Sequence, residues 1–215
     1  MYRLDLHTHT RFFHWGSGPT GYDPTGLRLN ALAAGVRGID GFAITNHDYA
    51  YSAATTRPTI PGIEVSTADG HVLVVGPDPP SRTVPGEWTA AETVERAHDR
   101  GCAAILAHPF RGSQARDSGA DFDAVELNGK NPEHVERTRR LAARLDLPLV
   151  GGSDAHYPVE IGRAYTLVDA PDLTPAAVAD AIRGGDVDAV VELGRLDRLV
   201  DRAYTESHGR KGWLD

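Results

Sequence analysis

The chain has 215 residues, 40% hydrophobic and 24% charged, which suits one globular domain with a buried core and excludes a disordered or fibrous chain. A net charge of −8 argues against a broad basic surface for extended nucleic acid, yet leaves room for a small anion at a locally positive site. There is no apolar run of membrane-spanning length, no signal-peptide-like start, and only one cysteine, Cys102, so no internal disulfide forms and a cytoplasmic location is the default expectation.

Taken in chain order, apolar runs at residues 3–6, 41–45, 60–65, 71–75, 103–107, 124–127, 147–151 and 164–168 predict strands. Between and after them, residues 24–34, 89–100, 132–145, 175–183 and 196–207 predict helices. Thr89, Asn131 before Pro132 and Thr174 before Pro175 supply helix starts. Strands alternating with helices predict an α/β fold with a largely parallel sheet. The reading is one domain over residues 1–208 with a short polar tail at 209–215. The Gly/Pro-rich stretches at 16–21 and 76–86 read as loops within it, and the first lacks the Gly-Lys-Ser/Thr of a phosphate-binding loop.

Of the ten histidines, His7, His9, His14, His47, His71, His108 and His156 fall at or just beyond strand ends, where loops of a parallel α/β fold converge. His98, His134 and His208 lie in polar helix-like segments and read as surface residues. Alternate residues of a strand share a side, so His7 and His9 can approach one ion, and Asp154 and His156 repeat the spacing. Imidazole and carboxylate suit zinc, iron or manganese, and a carboxylate such as Glu64 has two oxygens with which to bridge two ions. Each piece alone has an ordinary explanation: an exposed strand for His7 and His9, a turn for His47, a cap for Asp154. Together they resist a packing explanation, because so many buried imidazoles and acids would be costly without ions.

The order of the motifs Asp5-Leu6-His7-Thr8-His9-Thr10, Ile44-Thr45-Asn46-His47-Asp48, Gly62-Ile63-Glu64-Val65-Ser66, His71-Val72-Leu73, Ala107-His108-Pro109 and Gly152-Ser153-Asp154-Ala155-His156 resembles the PHP (polymerase and histidinol phosphatase) family. The resemblance implies a single-domain, TIM-like distorted (β/α)7 barrel with two or three divalent ions. By the same resemblance, His7, His9, Glu64 and Asp154 hold the first ion, and Glu64 bridges to a second held by His71 and His108. His14, His47 and His156 hold the third. Many family members have Asp in place of His14 and of Asn46. The first exchange favours a softer metal, zinc or iron, and the second falls in the surroundings of His47.

The implied activity is hydrolysis of a phosphate ester, a small phosphomonoester or nucleotide, by hydroxide generated at the zinc, manganese or iron site. Asp154 and His156 are candidates for passing a proton to the leaving group. Arg111 and Arg163 are candidates for bidentate phosphate contacts, and Asn128 and Lys130 for facing the substrate. Asp5 and Asp48 read as groups that orient imidazoles. The alternatives are a metal-dependent amidohydrolase, for which Lys130 is the one lysine near enough to bridge, and a non-catalytic metal-binding accessory module. The expected partner is a small phosphorylated substrate, without membrane or extended nucleic acid; the sequence leaves the oligomeric state open.

Overall fold

The computed structural model describes residues 1–11 and 18–194. His14, the helix expected at 196–207 and the tail at 209–215 lie outside them. Nine strands form one sheet: β1 (Tyr2–Thr8), β2 (Gly41–Ile44), β3 (Thr59–Ser66), β4 (His71–Val75), β5 (Ala103–Leu106), β6 (Ala124–Asn128), β7 (Leu149–Gly152), β8 (Ala164–Val168) and β9 (Val187–Val191). Their order is β7-β6-β5-β4-β3-β2-β1-β8-β9. Among the described residues, four α-helices accompany them: α1 (Asp23–Arg37), α2 (Ala90–Asp99), α3 (Val135–Leu145) and α4 (Pro175–Gly184). None is long and apolar enough to cross a membrane.

The expectation of a largely parallel sheet needs correction. β1–β2, β2–β3, β5–β6 and β6–β7 pair in parallel, whereas β3–β4, β4–β5, β1–β8 and β8–β9 are antiparallel. The hairpin β3–β4 turns within Thr67–Gly70, too few residues for a crossover helix, so β4 must run back along β3.

Local chemistry explains the helices. Thr89 and Glu92 form a reciprocal capping box on α2, and Thr174 caps α4 ahead of Pro175. Asn131 does not cap α3 as expected: its amide turns to Glu133, a 3-10 turn spans Pro132–His134, and the α-helix begins at Val135.

The sheet curls into a nearly closed barrel. Inward residues Leu4, Leu6, Ile60, Leu73, Val75, Ile105 and Val150 form a central core with Val178 and Ile182 of α4. The opposite strand faces, with Ile63, Val65, Val72, Val74, Leu106 and Val125, pack on Val94 of α2 and Leu141 of α3. α1 covers Phe42 and Ile44 through Leu27, Ala31 and Ala34. The seam between β7 and β8 is made by side chains: Thr166 Oγ1 accepts from the Gly151 amide (2.9 Å) and donates to the Gly151 carbonyl (3.0 Å). Gly151 is required there, since a Cβ would lie 2.3 Å from the Tyr165 carbonyl oxygen. Past β7 the chain joins β1 through the isolated Thr8–Ala155 bridge, with the His9 amide donating to the Ala155 carbonyl at 2.9 Å.

Candidate metal centre

Strand β1 carries two jobs on alternating residues. Leu4 and Leu6 belong to the central core, while His7 and His9, of opposite parity, belong to a cluster of imidazoles and carboxylates. A register irregularity between Asp5 and Thr8 in the β1–β2 pairing accompanies this switch, a device that re-aims side chains near sites. Glu64 faces inward between the outward Ile63 and Val65. His71 opens β4 and does not close it, but β4 is antiparallel to β3, so Ser66 pairs with His71 and the ring still reaches Glu64. His108 and Asp154 adopt left-handed backbones (φ 23° and 53°), a costly conformation for non-glycine residues that is typical of functional sites.

Glu64 is the hub. Its Oε1 stands 2.7 Å from His71 Nδ1 and 3.0 Å from His108 Nε2. Its Oε2 stands 3.2 Å from His7 Nε2, 3.3 Å from His9 Nε2 and 3.1 Å from His47 Nδ1. Asp154 Oδ1 approaches His9 Nε2 and His156 Nδ1, each at 3.3 Å, and His7 Nε2 at 3.7 Å. Arg111 Nη1 contacts Asp154 Oδ2 at 2.5 Å.

The electrostatics follow from burial against charge. Burial pushes Glu64 and Asp154 up, but His47, His7 and His71 around the first, and Lys130 and His7 around the second, hold both carboxyls well below their usual range. Burial lowers His7, and the pull of Glu126, Glu64 and Asp154 overrides it, leaving His7 well above its ordinary value. His9 is lowered well below that value by burial and by His156. His47 is lowered by burial, against the pull of Glu64.

The donor set fits divalent ions. Among the described residues Glu64 Oε2 is buried and accepts no hydrogen bond, although three imidazole nitrogens surround it at 3.1–3.3 Å. His7 Nε2 and His9 Nε2 face each other at 3.1 Å, an arrangement of lone pairs that a shared cation relieves. Among the described residues, four groupings place their candidate ligand atoms within 4.8 Å: His7, His9 and Glu64; His47, Glu64 and His71; His7, His108 and Asp154; and His9, His47 and His156.

Comparison with known proteins gives the same direction. The family model described as PHP-associated matches residues 132–187, which span α3, the Asp154–His156 motif and α4. No curated protein matches its sequence. Among solved structures, PsfC from Pseudomonas syringae superposes with a TM-score of 0.70 at 19% identity, over 96% of this chain and 99% of that one. A two-domain protein from Bacteroides vulgatus containing a predicted PHP-like metal-dependent phosphoesterase gives 0.62 at 18% identity, over 93% and 68%. The lesion-specific endonuclease from Pyrococcus furiosus gives 0.57 at 17% identity, over 87% of this chain and 57% of that longer one.

Measured against the PHP ligand pattern, the fold brings His7, His9, Glu64 and Asp154 together, and His71 and His108 on the other oxygen of Glu64. His47 and His156 gather with His9, while the third member expected with them, His14, is outside the described residues. Arg111 stands at the rim with 43% of its side chain exposed, open to a substrate. Arg163 is buried, 2% exposed, as deeply as His9 and Asp154. Asn128 is committed internally, donating to Glu126 Oε2 (3.2 Å) and accepting from the Lys130 amide (2.9 Å).

Other expectations shift by one contact. Asp5 orients backbone, not imidazole: its oxygens accept from the amides of Ser153 (2.9 Å), Gly162 (2.9 Å) and His7 (3.3 Å), and burial, partly offset by these bonds, raises it to about 6. Asp48 likewise takes the Ser66 amide (3.0 Å) and the Thr83 hydroxyl (2.8 Å). Asn46 serves the exit of β1, with its Oδ1 accepting from the Thr10 amide at 2.8 Å. His98 and His134 are engaged, His98 with Asp123 at 3.0 Å and His134 edge-on to Phe110.

The residue that sequence reasoning missed is Glu126. Buried in β6, it accepts His7 Nδ1–H at 2.7 Å and the His108 amide at 2.8 Å. That contact leaves His7 Nε2 free to act as a ligand. The available signal was a lone acid inside the apolar run Ala124-Val125-Glu126-Leu127.

Proposed function

We propose that the chain is a metal-dependent phosphoesterase acting on a small phosphomonoester or nucleotide. The observation that carries this reading is Glu64, a buried carboxylate with an unbonded oxygen ringed by imidazoles, beside Asp154 and under a cationic rim of Arg111 and Lys130. Zinc, manganese or iron held there would polarise a phosphoryl oxygen and bring the pKa of a water toward neutrality.

The chain's own residues set up that chemistry. Glu126 fixes the His7 tautomer. Asp154, kept ionised by Lys130 and His7, suits holding a cation more than delivering a proton, so His156 is the better candidate for proton transfer to the leaving group. Arg111 meets the substrate anion at the rim. The PHP-like phosphoesterase of Bacteroides vulgatus supports the reading through shared fold. An amidohydrolase with a bridging lysine is disfavoured, because Lys130 stands beside His156 while Glu64 occupies the position between the imidazoles.

The test is metal analysis paired with a panel of phosphomonoesters, phosphodiesters and nucleotides. Asp154→Ala and His9→Ala are expected to lose both metal and turnover. Unchanged metal content and activity in either variant would overturn the site, and tight metal binding without turnover on any ester would favour an accessory module.

A further inference from the structure

Lys130 is outside the ligand set yet reaches its centre. It follows β6 in a turn fixed by Asn128, which links Glu126 to the Lys130 amide. The Nζ stands 2.7 Å from His156 Nδ1, 3.8 Å from Asp154 Oδ1 and 3.7 Å from Glu160 Oε2. Arg111 reaches the other Asp154 oxygen at 2.5 Å. Two cations therefore flank one carboxylate, one per oxygen, with 23% and 43% of their side chains exposed where the buried cluster opens to solvent.

His156 decides how Lys130 is used. Its Nδ1 lies 3.0 Å from the Asp154 carbonyl as well as 2.7 Å from Lys130 Nζ. A neutral imidazole carries one proton, so Nδ1 either donates to the carbonyl or accepts from the ammonium. A His156 that ligates a metal through Nε2 carries its proton on Nδ1, which leaves Lys130 without that acceptor. Lys130 then keeps only the longer approaches to Asp154 Oδ1 (3.8 Å) and to Glu160 Oε2 (3.7 Å), the latter oxygen also taking the amides of His156 (2.8 Å) and Tyr157 (3.0 Å).

Resting on the phosphoesterase reading, we propose that Lys130 and Arg111 grip the phosphoryl group from two sides and so select terminal phosphomonoesters over diesters. A monoester offers three non-bridging oxygens and nearly two negative charges at neutral pH; a diester offers two oxygens and one charge. Two cationic prongs added to the metal contacts need the third oxygen. A diester leaves one prong without an acceptor, and losing one charge-assisted hydrogen bond corresponds to a roughly 10- to 100-fold preference.

The experiment uses the metal-loaded full chain with Lys130→Met and Lys130→Arg. It reads metal content by mass spectrometry, inorganic phosphate affinity by calorimetry, and kcat/KM on a matched aryl phosphate monoester and diester. Lys130→Met is expected to keep its metal, lose phosphate affinity and monoester kcat/KM by roughly 10- to 100-fold, and change diester kcat/KM by less than about threefold. Lys130→Arg should recover part of both losses. Phosphate affinity close to wild type, equal losses on both esters, or lost metal would each overturn the proposal. If the wild type hydrolyses neither ester, the phosphoesterase reading fails, and the phosphate titration still decides the clamp.

Discussion

Glu126→Gln isolates a hydrogen-bonding role from packing, because the two side chains have nearly the same shape. Glu126 accepts three donors: His7 Nδ1 at Oε1, and the His108 amide and Asn128 Nδ2 at Oε2. An amide has one acceptor oxygen. If it replaces Oε2, the NH2 faces His7 Nδ1, the ring must move its proton to Nε2, and the nitrogen aimed at Glu64 and His9 stops being a ligand. If it replaces Oε1, the NH2 opposes the His108 amide at a residue already held at φ 23°. The first outcome should weaken zinc binding by roughly 10- to 100-fold. The second leaves buried donors unsatisfied at about 2 kcal/mol, a fall in Tm of roughly 4–8 °C for a chain of this size. A zinc titration against a chromophoric chelator, with thermal melts in excess chelator, separates the two. Zinc affinity within about threefold of wild type together with an unchanged Tm would refute the assignment of Glu126 as the group that sets His7.

The other expectations concern pH, the seam and a helix cap. Glu64 and Asp154 sit well below their ordinary values and stay ionised through pH 5, whereas His7 and His71 are raised, so protons compete with metal at those two rings. Acidification should therefore weaken zinc binding by between one and two decades per pH unit, beginning above the ordinary imidazole value of about 6.5, measured by chelator competition; a flat profile would count against imidazole ligation. Gly151→Ala forces a Cβ against the Tyr165 backbone, and overpacking against backbone should cost about 3 kcal/mol, or roughly 6–12 °C in Tm, with an unshifted melt refuting the close approach. Thr89→Ala removes the α2 capping box and should cost about 1 kcal/mol in denaturant titration while metal content stays unchanged; a loss of metal would show that α2 bears on the site.

Most strands were legible because each buried run, such as Ala103–Leu106 or Gly41–Ile44, is continuously apolar between turn residues. β9 was not, since Val187–Val191 is a half-exposed strand at the end of the sheet order, antiparallel to β8. The candidate ligands stood out because metal chemistry needs specific residue types, and these recur at strand ends. Their supports did not, because the contact of Glu126 with His7 depends on β6 facing β1 across the barrel.

The seam has a thermodynamic consequence. His7 and His9 come from the first strand, and Asp154 and His156 from the chain leaving β7, and these ends are joined by the isolated Thr8–Ala155 bridge and the Ser153 amide on Asp5, with the Thr166–Gly151 contact closing β7 on β8. An ion held by both ends would act as a clasp, and its binding would then be linked to closure of the barrel. Amide exchange in β7 and β8 should then slow in step with free metal concentration. By the same linkage, a change at Gly151 should loosen an ion that Gly151 never touches.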